Sequence, residues 1–191
     1  MKKFSGVGVA LVTPFDETGR VDEHSLRNLV NYVIDGGVDY LVALGTTSEA
    51  ATMTAEERAF VVRVIAEENA GRLPIVLGIG GNNTEQVIHD LATLPYLQLG
   101  DAILSVTPYY NKPSQQGLYN HFKAIAEHTP LPVILYNVPG RTGVNMTAET
   151  TLRIARDFNN VIAIKEASGN ITQMDDIIKN KPENFNVISG D

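Results

Sequence analysis

Seven short apolar runs rich in β-branched residues recur along the 191-residue chain at nearly even intervals, and this regularity constrains the fold more than any other feature. The runs are Gly6 to Thr13, Tyr40 to Gly45, Ile75 to Gly80, Ala102 to Pro108, Val133 to Pro139, Val161 to Ala167 and Asn186 to Gly190. Their starts, at 6, 40, 75, 102, 133, 161 and 186, are separated by 34, 35, 27, 31, 28 and 25 residues. Short continuous runs of this kind suit strands buried on both faces. The intervening segments carry apolar residues at helical spacing, such as Leu26, Leu29, Val30 and Val33, then Phe60, Val61, Val64 and Ile65. The alternation fits βα units, because two parallel strands need a crossover of a dozen or more residues between them. Helix starts carry their own marks: Thr54 with Glu57 makes a capping box, Asn83 with Gln86 a similar pattern, and Asp22, Ser114 and Thr147 precede other helical runs. Gly36-Gly37, Gly71 and Gly100 punctuate the far ends.

Two α/β architectures compete: an open doubly wound sheet, which a chain of 191 residues fills comfortably, and a (β/α)8 TIM barrel, which usually takes about 250 residues. The first strand runs into TPFDETGRVDEHS, with no Gly-x-Gly-x-x-Gly turn, and polar residues stand at the C-terminal end of nearly every strand rather than at one switch point. That distribution is what the active face of a barrel requires. Seven strands predict a barrel truncated after the seventh, so residues 1–191 are expected to form one incomplete barrel domain, with strand eight missing and no second domain. Unpaired edges on the first and seventh strands lead to the further expectation that this span alone is neither stable nor active without a continuation or a partner chain.

Charge and cysteine content exclude several functions. With 15 basic and 22 acidic side chains the net charge is −7, which argues against a nucleic-acid partner. The absence of cysteine removes disulfides, thiolate metal sites and a cysteine nucleophile, and points to the cytosol. No apolar stretch approaches the roughly 20 residues that span a membrane. The N-terminal run is interrupted by Gly6, Gly8, Thr13 and Pro14 and reads as a strand, not a secretion signal.

The strand ends read GTTSE at 45–49, GIGGNN at 78–83, TPYYNKP at 107–113, YNVPGRTG at 136–143, IKEASG at 164–169 and SGD at 189–191. In VIAIKEA the two-residue pleat puts Val161, Ala163, Lys165 and Ala167 on one face, so if that face lines the barrel, an amine enters an apolar interior. Desolvation favours the neutral amine, which is a carbonyl nucleophile. Glu166 has the opposite parity and points toward the helical layer. Tyr136, at the end of the adjacent strand, offers a phenol to move protons; Thr46 and Thr47 offer hydroxyls and backbone N–H groups to a carboxylate; Arg141 offers a planar fork to a second carboxylate. Each residue type also has a structural use: a lysine head in solvent, a buried phenol merely satisfied, threonines capping a helix, a solvated loop arginine. GIGGNN matches no phosphate-binding pattern and reads as a turn and cap. His24, His89, His121 and His128 fall in or beside helical runs without ligand spacing, so no metal is expected.

Together, GTTSE, TPYYNKP, YNVPGRTG and IKEASG resemble the dihydrodipicolinate synthase family, within the pyruvate-dependent class I aldolase and N-acetylneuraminate lyase superfamily, in family order and along the whole chain. The resemblance implies a (β/α)8 barrel followed by a small helical domain, which this chain would lack, and a homo-oligomer, a tetramer built from tight dimers. It implies Lys165 as Schiff-base lysine, Tyr136, Thr47 and Tyr110 as proton relay, and Tyr109 as the residue reaching across the tight dimer. Thr46 and Thr47 would hold the carboxylate of pyruvate, Arg141 that of L-aspartate 4-semialdehyde, and the backbone around Gly190 would flank the lysine. The implied reaction condenses the two substrates to 4-hydroxy-tetrahydrodipicolinate, on the way to diaminopimelate and lysine, with no cofactor and no metal. A sugar-acid pyruvate lyase and an inactive barrel fragment that associates with another subunit are the alternatives. Arg141 and the YYNKP string favour the synthase. Ser48 stands where many relatives carry glycine. By the same resemblance the effector positions include Ala50, Ala55, Arg58, Asn82, Gln86 and Tyr109, which offer no carboxylate to an effector ammonium, so inhibition by lysine is expected to be weak or absent.

Overall fold

The computed structural model describes residues 4–190; Asp191, the last residue of the SGD strand end, lies outside the described residues. All seven expected strands form: β1 (Gly8–Ala10), β2 (Tyr40–Ala43), β3 (Ile75–Gly78), β4 (Ala102–Val106), β5 (Val133–Asn137), β6 (Val161–Glu166) and β7 (Asn186–Ser189). Each is shorter than its apolar run, because the C-terminal end of the run leaves the ladder and becomes the loop that carries the polar motif. The helices between them are α1 (Glu23–Asp35), α2 (Ala55–Asn69), α3 (Thr84–Thr93), α4 (Gln115–His128), α5 (Pro139–Thr142), α6 (Ala148–Asp157) and α7 (Ile171–Asn180). Two compact units divide the chain, one taking residues up to Gly78 with Leu94–Ala102, the other Ile79–Thr93 with the residues from Ile103 onward.

In the first unit β1, β2 and β3 run parallel, with Val9 opposite Leu41 and Val42 opposite Val76. The capping box opening α2 is complete: Glu57 N donates to Thr54 Oγ1 at 3.2 Å and Thr54 N donates to Glu57 Oε2 at 2.8 Å. Such a cap contributes about 1 kcal/mol to the helix start. Leu26 and Val30 of α1 and Val61, Val64 and Ile65 of α2 are buried, while Arg27 reaches Glu67 at 2.7 Å and Glu68 at 3.3 Å along the outer rim. The buried apolar contacts hold this helix pair, because ion pairs open to solvent contribute only about 0–1 kcal/mol each. α2 closes on two left-handed residues, the cap Ala70 at φ 46° and, as expected, Gly71 just beyond it at φ 73°.

In the second unit β4 to β7 are parallel and follow chain order. Ser114 and Thr147 cap α4 and α6 as expected, accepting from Gly117 N and Thr150 N. The Asn83 pattern is half formed: Gln86 N donates to Asn83 Oδ1 at 3.3 Å, but the Gln86 amide turns to Asp90 Oδ1 at 2.8 Å. The Pro-Gly-Arg-Thr-Gly stretch, expected as a loop, is the one-turn helix α5, with Pro139 in the first turn where its missing N–H costs nothing. α7 opens on a cap as well, Asn170 accepting from Gln173 N.

Candidate active site

The register of β5 against β6 sets the chemistry of the second unit. Val133 pairs with Val161, but Ile134 pairs with Ala163, so β6 covers two positions for one step of β5. Beyond that slip Tyr136 pairs with Lys165. Paired residues of parallel strands share a face and a one-residue shift exchanges faces, so without the slip Tyr136 would stand opposite Ile164 and Lys165 would point the other way. With it, Lys165 Nζ lies 4.8 Å from the centre of the Tyr136 ring. Tyr136 is buried and Lys165 half-buried. A lysine head held over a ring face at this distance packs against the phenol, and the contact limits the directions the amine can take.

Gly190 closes against this pair. Its N–H donates to Glu166 O at 2.9 Å, and a Cβ added there would stand 2.7 Å from Ala167 Cβ and 3.1 Å from Lys165 Cε. Only glycine leaves the lysine stem its present path. Arg141, on α5, is exposed, and no carboxylate among the described residues forms an ion pair with it. The TPYYNKP segment is tied to α5 by Tyr110 N donating to Thr142 O at 3.2 Å, and Asn82 Nδ2 donates to Tyr109 O at 3.2 Å. Tyr110 and Lys112 both adopt left-handed backbone, φ 74° and 50°, and Tyr110 is 86 % exposed against 43 % for Tyr109.

In the first unit, β2 ends in an abrupt turn at Leu44, a buried residue at φ 56°. Gly78 makes the turn possible, since a Cβ there would stand 2.0 Å from Leu44 O. A 3-10 turn, Thr46–Ser48, follows, with Ser48 N and Oγ both donating to Gly45 O. Thr46 and Thr47 therefore cap nothing: they lead the turn, exposed, where the first N–H groups of a helical turn lack an acceptor within it. Buried Ser48 fits the loop by that bond to Gly45. A groove of about 1080 Å³ on this unit, lined by Phe60, Tyr96 and Leu99 among others, contains none of the candidate site residues. All four histidines lie on helices, and among the described residues no group of three or more His, Cys, Asp or Glu could hold a metal ion.

The second unit thus brings together Lys165, Tyr136 and Gly190, and separately Arg141 with the Tyr109-Tyr110 segment. Glu166 and Asn137, buried on the other face of the same strand ends, were not selected from the sequence as site residues, although both stand directly after a selected one.

Seven parallel strands in chain order with helical crossovers, and polar residues at the strand ends, define a chain of the (β/α)8-barrel class. Residues 3–191 match the Dihydrodipicolinate synthetase family. The 4-hydroxy-tetrahydrodipicolinate synthase of Parabacteroides distasonis is 64 % identical over 97 % of this chain and 62 % of its own length, and that of Phocaeicola vulgatus 61 % identical over 99 % and 63 %. The crystal structure of dihydrodipicolinate synthase from Bacillus anthracis superposes with a TM-score of 0.94 at 44 % identity, covering 100 % of this chain and 65 % of that one. The chain belongs to the dihydrodipicolinate synthetase family. Its fold is of the truncated (β/α)8 class, α/β, with seven strands among the described residues, and it spans less than two thirds of the length of these relatives.

Proposed function

We propose that this chain carries the pyruvate-activating residues of a synthase that condenses pyruvate with L-aspartate 4-semialdehyde to 4-hydroxy-tetrahydrodipicolinate, and that both units belong to one barrel domain. The observation that carries the reading is the Lys165–Tyr136 pair, amine over ring at 4.8 Å, on adjacent strand ends. The Lys165 amine attacks the keto carbon of pyruvate; the carbinolamine then loses water to give an imine. Loss of a methyl proton gives an enamine, whose carbon adds to the aldehyde. The amine of the second substrate then displaces Lys165 as the product cyclises. The protonated imine is itself the electron sink, so the steps call on no metal and no organic cofactor.

In this reading Tyr136 and Thr47 move the protons, with a phenol of the Tyr109-Tyr110 segment completing the relay. Thr46 and Thr47 hold the carboxylate of pyruvate, Arg141 that of the semialdehyde, and Gly190 keeps the space beside the lysine open. A homo-oligomer built on tight dimers gives the exposed tyrosines their use, and the exposures favour Tyr110 for the longer reach, the reverse of the order the resemblance implies. No helix among the described residues is long and apolar enough to cross a membrane, and we place the activity in the cytoplasm. Mass-spectrometric assay of the protein with both substrates is the test. The expected result is their consumption in equal amounts with appearance of the cyclic product. Release of pyruvate from N-acetylneuraminate or a related sugar acid, with the semialdehyde untouched, would replace this function with that of a lyase.

A further inference from the structure

The two residues that follow the candidate pair are as closely matched as the pair itself. Asn137 is opposite Glu166 in the register, one step beyond Tyr136 and Lys165, so pleat alternation turns both side chains to the opposite face. Both are fully buried there. Asn137 Nδ2 donates to Glu166 Oε1 and Oε2, each at 3.1 Å. Gln173 Nε2, from α7, donates to Oε2 at 3.0 Å, and Ser168 N donates to Oε1 at 3.0 Å. The orientation of each amide follows from its other bonds: Asn137 Oδ1 accepts from Met146 N at 2.9 Å, and Gln173 Oε1 accepts from Asn145 Nδ2 at 2.8 Å.

No lysine, arginine or histidine among the described residues forms an ion pair with this carboxylate. It is held by neutral donors from three places, the end of β5, the turn after β6 and the first turns of α7. A buried carboxylate is tolerated only while its oxygens stay hydrogen-bonded, so any relative movement of the three donors is opposed by the cost of leaving it unsatisfied. An apolar side chain would fill the same space without fixing the strand ends in one register. Glu166 is too deeply engaged on the helix-facing side to act on a substrate directly.

We propose that Glu166 and Asn137 are positioning residues: from behind the sheet they clamp the ends of β5 and β6, and so fix Lys165 Nζ against Tyr136. The proposal rests on the reading of Lys165 as the imine-forming residue. The test is single-turnover trapping of the pyruvate imine by borohydride in the full-length protein, with rates expressed per folded molecule. Glu166→Gln places an amide donor among donors and is expected to lower that rate by tenfold to hundredfold, the order of effect that small misplacements of reacting groups produce. Ile125→Val, a core truncation in α4, should lose stability and keep its rate within about twofold. The exchange Glu166→Gln with Gln173→Glu restores a donor–acceptor pair and should recover most of the rate. Should Glu166→Gln fail to fold, Gln173→Met removes one donor, with a fall of about threefold expected. A rate per folded molecule equal to the parent's in Glu166→Gln or Gln173→Met, or no recovery in the exchange, overturns the positioning role while leaving Lys165 in place. No adduct in the parent protein overturns both readings.

Discussion

The ends of β5 and β6 and the Tyr109–Lys112 segment belong to the same unit, yet they hold their side chains by opposite means. At the strand ends Tyr136, Asn137 and Glu166 are buried, and Lys165 is set by ladder register; direction follows from pairing, and no residue there departs from extended backbone. In the loop Tyr110 and Lys112 sit in left-handed backbone without being glycine, and two bonds of 3.2 Å, to Thr142 O and from Asn82, tie the segment down. Sparsely populated backbone of this kind costs on the order of 1–3 kcal/mol per residue. The difference teaches where accuracy is needed. In the mechanism proposed above a nucleophile and its proton carrier must meet to a fraction of an ångström, which a ladder provides, whereas the groups proposed to receive a carboxylate or a neighbouring chain can sit on an exposed, strained segment.

Substitutions of matched type can break this contrast. The largest effect is expected at the lysines: Lys165→Arg should abolish trapping of a pyruvate adduct, since a guanidinium does not form the imine, while Lys112→Arg should leave it within about twofold. Equal loss in both would remove the distinction between ladder and loop. Next comes Tyr136→Phe, expected to slow imine formation by about 10²–10⁴-fold, the usual contribution of a positioned proton donor, with its half-saturating pyruvate nearly unchanged. A change confined to half-saturation would make Tyr136 a binding residue instead.

The buried side should also carry an acid sensitivity. His121, in α4, is 4 % exposed; its Nδ1 lies 2.8 Å from Thr84 Oγ1, its Nε2 has no partner, and burial lowers its pKa to about 4. The native state therefore holds it neutral while the unfolded chain binds a proton below about 6.5, so stability is complete above that pH and falls as pH drops toward 4. The loss should approach about 3 kcal/mol at the lower end. Denaturant melts at pH 7 and pH 4.5 should show the parent losing more stability than His121→Gln; equal losses would mean that the ring finds solvent before the fold opens. The smallest effect is expected from Lys112→Gly, which relieves a left-handed residue and should change stability by less than about 1 kcal/mol, upward, without altering imine formation. A clear destabilisation would show that the loop conformation rests on the lysine side chain.

Much of the fold is written locally. The seven strands, the Thr54 box and the Ser114 and Thr147 caps follow from β-branched runs and side chains whose preferences act within a few residues. The faces of Lys165 and Glu166 follow from alternation, which holds from Ala163 onward. What alternation does not contain is register between strands: VIAIKEA reads the same with or without the slip at Val161–Ala163, although that slip alone puts the lysine beside Tyr136. Left-handed Leu44, Tyr110 and Lys112 were equally unreadable, because no glycine announces them and tertiary contacts impose the conformation. Two further helix starts do carry local signals: Pro139 in the first turn of α5, and Asn170 with Gln173 at the beginning of α7.

Whether one strand-borne lysine is the nucleophile is decided by peptide mapping of the borohydride-reduced pyruvate adduct. A single modified site is expected at Lys165, lost in Lys165→Arg and present in Lys112→Arg. An adduct on Lys112, Lys123 or another surface lysine, or no adduct at all in protein with native-like cooperative unfolding, would contradict it.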